Sequence, residues 1–177
     1  MHVSSAANPD DTIAKILIAE WQAARERHGW AIGRYVIMSD HVHFFCAPEH
    51  GAKTLSEFVG NWKRWTSRRV HALEEPRTAS SATARPLWQR EFFDHVLRSS
   101  ESYSEKWHYV RDNPVGAGLV AIATTWKHSG EIETLMLYLG TPSRAARRAS
   151  KEVDAKPALE NPGISASYGL RDLISVA

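Results

Sequence analysis

The chain has 177 residues, 43% of them hydrophobic, enough for one domain with its own core and a short extension. Its 22 lysines and arginines barely exceed 20 acidic residues, a formal charge of +2, so bulk charge argues for no polyanionic partner and any such case rests on local clustering. No apolar run approaches the roughly 18 residues of a membrane span. The opening MHVSSAANPDD lacks the basic start and apolar stretch of a signal peptide, and the single Cys46 excludes an internal disulfide, so a cytoplasmic protein is expected.

In chain order, residues 1–5 fit a short opening strand. Ile13, Ile16, Leu17, Trp21 and Ala24 recur at helical spacing with charged residues between them, which predicts a helix from Asp11 that Gly29 ends. Residues 30–38 (WAIGRYVIM) and 41–48 (HVHFFCAP) read as the two strands of a hairpin around a Ser39-Asp40 turn. Thr54 and Glu57 form a capping box for a helix from 55 to about 73. The small, polar, proline-bounded segment 76–86 predicts a flexible loop, and 91–97 (EFFDHVL) a strand. Ser99 and Ser100 are N-cap candidates for a helix over 101–112, which Pro114 should end by disfavouring helical geometry at Asn113. Residues 141–177 contain one aromatic, Tyr168, and read as a largely disordered or loosely packed tail with a short helix near 144–151. The order βαββαβα predicts an α+β domain over 1–140, an antiparallel sheet with helices packed on one face.

Three patterns carry chemistry. In His41-Val42-His43, residues two apart on a strand share a face, so both imidazoles come within reach of one ion. A pair of surface or structural histidines accounts for so short a pattern equally well. Tyr109 and Asn113, four apart, lie on one helix face near its C-terminal end, where a phenol could attack a phosphodiester and an amide oxygen could complete a metal shell. Taken singly, a core tyrosine and a helix C-cap explain them as well. The run NWKRWTSRRVH over 61–71 alternates cations with two indoles, a pattern for phosphates and unpaired bases. It also fits an amphipathic helix with buried tryptophans, and the reading is mixed: indoles inward, cations toward nucleic acid. Tyr103 sits about 240° from Tyr109 around the helix, so the two cannot serve one site. His95 reads as structural. Zinc is conceivable at two histidines, yet no Cys or His spacing completes a structural zinc set.

The segments YVIMSDHVHFF, FVGNWKRWTSRRV, LWQREFFDHVLRSSESYSEKWHYVRDNPVGAGLV and WKHSGE resemble, in order over about residues 30–131, the REP-associated tyrosine transposases of the HUH superfamily, relatives of the small single-strand insertion-sequence transposases. The resemblance implies a ferredoxin-like palm, with His41, His43 and Asn113 as ligands of Mg²⁺ or Mn²⁺. It implies Tyr109 as the nucleophile that takes a 5′-phosphotyrosine link and frees a 3′-hydroxyl. Its implied partner is single-stranded, hairpin-forming repeat DNA (repetitive extragenic palindromes), met in the cytoplasm at the nucleoid by a protein expected to act as a monomer, a homodimer being the alternative. DNA contacts are expected from Trp62, Lys63, Arg64, Arg68, Arg69, Arg90, Arg98 and Arg111. Two features depart from the family pattern: the opening strand is short, and Gly116 stands where relatives have arginine. They motivate the alternative of a domesticated protein that binds hairpin DNA without cutting it.

Overall fold

The computed structural model describes residues 9–73, 86–97, 100–135 and 171–176. The expected strand at 1–5, most of the loop at 76–86, the short helix near 144–151 and Arg98 lie outside these residues. Asp10 caps α1 (Asp11–Gln22), its carboxylate accepting from the backbone N–H groups of Thr12 and Ile13 at 2.7 and 3.2 Å. A break at Ala23 separates α1 from α2 (Ala24–His28), so the one predicted helix is two. Gly29, at φ 73°, stops α2 in the left-handed region that a side chain rarely adopts.

The predicted hairpin forms as β1 (Trp30–Ile37) and β2 (Val42–Pro48), closed where Met38 N–H donates to the His41 carbonyl at 2.8 Å. The Thr54–Glu57 capping box opens α3 (Leu55–His71). Then come α4 (Ser100–Arg111), α5 (Asn113–Gly116), a 3-10 turn at Ala123–Thr125, β3 (Ser129–Glu131) and β4 (Arg171–Val176). The sheet runs β3-β1-β2-β4 and every pairing is antiparallel, which bears out the α+β class. No helix among the described residues is long and apolar enough to cross a membrane.

The sheet has a core on each side. Ile32, Tyr35, Ile37, Val42, Phe44, Cys46, Ile174 and Val176 meet Leu17 and Trp21 of α1 and Phe58, Val59 and Trp62 of α3. The alternate residues Val36, Met38 and Phe45 meet Leu97, Val110 and Trp126, with Tyr103 and Trp107 of α4 packed against them. The expected placement of helices on one face therefore holds for α1 and α3 and not for α4. Strand β1 is apolar on both sides along its length, so each side demands a cover.

Three further expectations change. Residues 91–97 are not a strand but carry isolated bridges at Phe93 and Val96, Phe93 exchanging two backbone bonds of 3.0 and 3.1 Å with Ser175. The reason lies in their side chains, for Phe92 packs on the α1–α3 core while Leu97 is buried in the α4 core, and a segment that changes sides cannot follow the sheet edge. Of the predicted tail, residues 171–176 form β4, because Ile174 and Val176 bury fully beside β2. Pro114 does not end helical structure but opens α5, where a first-turn residue needs no N–H.

Ile174→Ala is expected to destabilise the chain by about 2–5 kcal/mol in urea unfolding, the usual cost of emptying a buried aliphatic site. A change no larger than that of an exposed substitution would mean that β4 adds nothing to the folded core.

Candidate functional site

Strand β2 fixes the first part of the site. Val42, Phe44 and Cys46 belong to the α1–α3 core, so His43, between Val42 and Phe44, shares the opposite face with Phe45. The His41 and His43 rings lie 4.8 Å apart, edge to face. His41 Nδ1–H donates to Asp40 Oδ1 at 2.7 Å, which leaves Nε2 with its lone pair, the arrangement that orients a metal-binding imidazole. Burial, and then the neighbouring His41, pull the His43 pKa down to about 4, so this ring is neutral at physiological pH. Its Nδ1 is buried and has no hydrogen-bond partner among the described residues.

Helix α4 brings the second part. It rests on β2 through Tyr103 and Trp107, whose rings stand 4.7 and 6.2 Å from that of Phe45, and Val110 is fully buried below them. Tyr103 is spent on this packing, and burial raises its phenol pKa. Tyr109 lies on the flank of the same helix, 69% exposed, with its hydroxyl open to a large substrate. Asn113 follows one turn on, at the start of α5; its Nδ2 is buried with no partner among the described residues, so it does not act as the C-cap that its position in sequence allows. The two histidines, with His43 Nδ1 buried and without a partner among the described residues, fit a borderline divalent cation in their chemistry, and Asn113 could add its amide oxygen, though not its Nδ2 donor. Among the described residues no three His, Cys, Asp or Glu side chains gather into a metal-binding group.

The expected DNA-contacting set divides. Trp62 is 2% exposed and sandwiched between Trp21 at 5.4 Å and Trp88 at 4.9 Å, so it presents no face to a base. Lys63 is turned inward too: its ammonium donates to the carbonyls of Gln89, Arg90 and Glu91 at 2.8, 3.2 and 2.8 Å and so pins the segment before Phe92. Both assignments to nucleic acid are therefore replaced by structural ones. Arg64 is exposed and bonds to Asn61, Arg68 lies over the Trp65 ring at 5.4 Å, and Arg69 pairs with Glu20 at 2.8 Å. Arg64 and the exposed Arg90 share a shallow groove of about 390 Å³ with His71 and Gln89. All of the α3 cations stand on the helical layer across the sheet from His43. Arg111, paired to Asp112 at 3.3 Å, stands on α4 between Tyr109 and Asn113. His95 is exposed, so nothing packs it into the structural role expected of it.

Three groups went unread in the sequence. Asp40, taken only as a turn residue, orients His41, and its adjacency to the histidine pair was the available signal. Arg34 stacks its guanidinium 5.6 and 5.3 Å from the Tyr103 and Trp107 rings and so ties β1 to α4. The buried Glu20 holds Arg27 at 2.6 Å as well as Arg69. Nothing in the local sequence marks the last two, because Arg34's rings and Glu20's Arg69 lie far along the chain.

Residues 9–113, more than half of the chain, match the family described as IS200-like transposases. A REP-associated tyrosine transposase of Escherichia coli (strain K12) is 24% identical over 98 residues, 55% of this chain and 52% of that protein, so the chain spans about half the length of this curated relative. A solved structure of a REP-associated tyrosine transposase bound to a REP hairpin superposes with a TM-score of 0.55 at 16% identity, covering 90% of this chain and 80% of the other. That likeness is one of fold.

The buried neutral His43 makes stability depend on pH. The unfolded chain takes up this proton near pH 6.5, whereas the folded site refuses it until about pH 4, so stability is complete above 6.5 and drains away as pH falls through that window, by up to about 3 kcal/mol. With a chelator present, urea midpoints of the parent chain are expected to fall more steeply from pH 7 to 4 than those of His43→Asn. Parallel curves would show that His43 is not held neutral.

Proposed function

Because the chain belongs to the IS200-like transposase family, we propose that it is a tyrosine-using single-strand DNA endonuclease and strand transferase acting on hairpin-forming repeat DNA. One observation carries the proposal: the histidine pair lies on the sheet face that α4 covers, and α4 bears an exposed Tyr109 with Asn113 one turn beyond. Tyr35 is buried and Tyr103 half-buried by packing; a phenol left in the open on the helix that covers the histidines' sheet face suits a polymeric substrate.

In this reading the Tyr109 oxygen attacks the phosphorus of an unpaired strand. The bond from phosphorus to the 3′-oxygen breaks, the phenol proton is given up, and the departing oxygen takes a proton to become a free 3′-hydroxyl. The strand stays linked to Tyr109 through its 5′-phosphate. Attack by another 3′-hydroxyl reverses these changes and completes strand transfer with no net loss of phosphodiester bonds. His41, His43 and Asn113 would hold Mg²⁺ or Mn²⁺, which when bound would draw charge from the phosphoryl oxygens. Asp40 orients His41, and the burial of His43 keeps its lone pair available. Arg111, two residues after Tyr109 on α4, is proposed to contact the backbone of the strand. The hairpin is the partner named for the related structure, and the present chain is proposed to take one as a monomer in the cytoplasm, at the nucleoid.

The test uses end-labelled hairpin oligonucleotides from repeats flanking the gene, incubated with Mg²⁺ or Mn²⁺ and run on denaturing gels. A covalent band is expected that vanishes with Tyr109→Phe and with chelator, and that falls by a factor of a hundred or more with His41→Ala. A retarded native complex with no covalent band under either metal would instead assign the chain to the non-cleaving hairpin binders. Gly116, exposed and without neighbours within 4 Å where relatives carry arginine, is the feature of this chain that such a result would point to.

A further inference from the structure

A second charged assembly lies on the other side of the sheet, on the helical layer, and the cleavage chemistry makes no use of it. Glu20 of α1 is a buried carboxylate, its side chain 6% exposed, and it accepts from two arginines at once: Arg27 of α2 through one terminal nitrogen at 2.6 Å and Arg69 of α3 through one at 2.8 Å. One arginine would neutralise one carboxylate. Two leave a positive charge in excess, and each guanidinium has five N–H donors of which the Glu20 bond uses one. Both side chains remain about half exposed, so their remaining donors are open to a ligand.

The carboxylate holds two forks at a set separation. Each arginine carries rotamer entropy that a ligand would otherwise have to remove, and Glu20 has already removed much of it. The same residues line a cleft of about 560 Å³ together with His28 and Trp65. That size lies within the range of small-molecule sites. His28 contributes its ring to the wall, and burial lowers the pKa of that ring, so it adds no charge to the two guanidiniums.

Trp65 is the odd indole of the chain. Trp21, Trp30, Trp62 and Trp126 are buried, whereas Trp65 is 39% exposed at the cleft, with the Arg68 guanidinium over its ring at 5.4 Å. An open aromatic among three arginines is the combination that takes a phosphate and the π-face of an unpaired base together. We infer that the cleft between α1–α2 and α3 binds one unpaired nucleotide, its phosphate on Arg27 and Arg69 and its base against Trp65. The inference does not rest on the cleavage reading, since the cleft and the histidine pair lie on opposite faces of the sheet. The nucleotide has two possible sources, a single strand or the free pool, and the arms of the test separate them.

The full-length chain would be titrated with 5′-dTMP and with thymidine by calorimetry, and with a fluorescent oligothymidylate by anisotropy. Binding of dTMP, of the oligomer or of both is expected, with thymidine at least about tenfold weaker than dTMP. Trp65→Ala and Arg69→Gln should each weaken binding by about tenfold or more, the usual effect of losing one stacking or phosphate contact. Trp65→Ala leaves the Glu20 ion pairs in place, and circular dichroism confirms the fold of each variant. Tyr109→Phe, which cannot form an adduct, should bind with unchanged affinity, so failure of cleavage and failure of the cleft are read separately. Tight dTMP with weak oligomer identifies a free nucleotide, and the reverse identifies a strand. Affinities that do not change in folded Trp65→Ala and Arg69→Gln, or inorganic phosphate binding as tightly as dTMP, would overturn the inference.

Discussion

Alternation along β2 is the constraint on which the rest of the structure depends. The strand lies inside the sheet, between β1 and β4, and Val42, Phe44 and Cys46 are buried almost completely against α1 and α3. A slip of one residue would drive His43 and Phe45 into that core and bring Val42 and Phe44 out of it, so the register is held by the full hydrophobic gain of the larger cluster. His43 is thus fixed by its neighbours in sequence rather than by bonds of its own. Its burial, its low pKa and its closeness to His41 all follow from that register.

Phe45 passes the constraint on to α4. Its ring is the floor on which Tyr103 and Trp107 stand, and Arg34 covers both from the side of β1. A bulge in β1 between Ile32 and Tyr35 makes this geometry available, because it turns Gly33 and Arg34 toward the same side. At Gly33 a β-carbon would come within 2.7 Å of the Leu135 side chain, so the bulge needs a residue with none. The position of the proposed nucleophile is therefore set by the packing of α4 on β1 and β2.

Charged groups on the helical layer show how far composition can mislead. Lys63 gathers three carbonyls and becomes a clamp for the segment leading to Phe92 and Phe93, while Trp62 disappears into a stack of indoles. Glu20, an ordinary polar position in a helical repeat, is the buried centre of a two-arginine cluster. A cation near an aromatic in sequence is equally consistent with a wall, a hinge or a binding surface, and only the partner decides which.

The sequence by itself determined the features set by short-range physics. Helical periodicity defined α1, periodicity and the Thr54 cap defined α3, strand alternation and a turn defined the β1–β2 hairpin, and the same alternation put His41 and His43 together. The motif order carried the family. What the tertiary structure decided depends on partners distant in the chain: that α4 covers the second face, that residues 171–176 complete the sheet beside β2, that 91–97 makes isolated bridges and changes sides, and that Trp62 and Lys63 serve the core. Local propensity is the sum of interactions within a few residues, whereas each of these depends on which apolar surface remains to be covered after the hairpin and its first helices have packed. That remainder exists only in three dimensions.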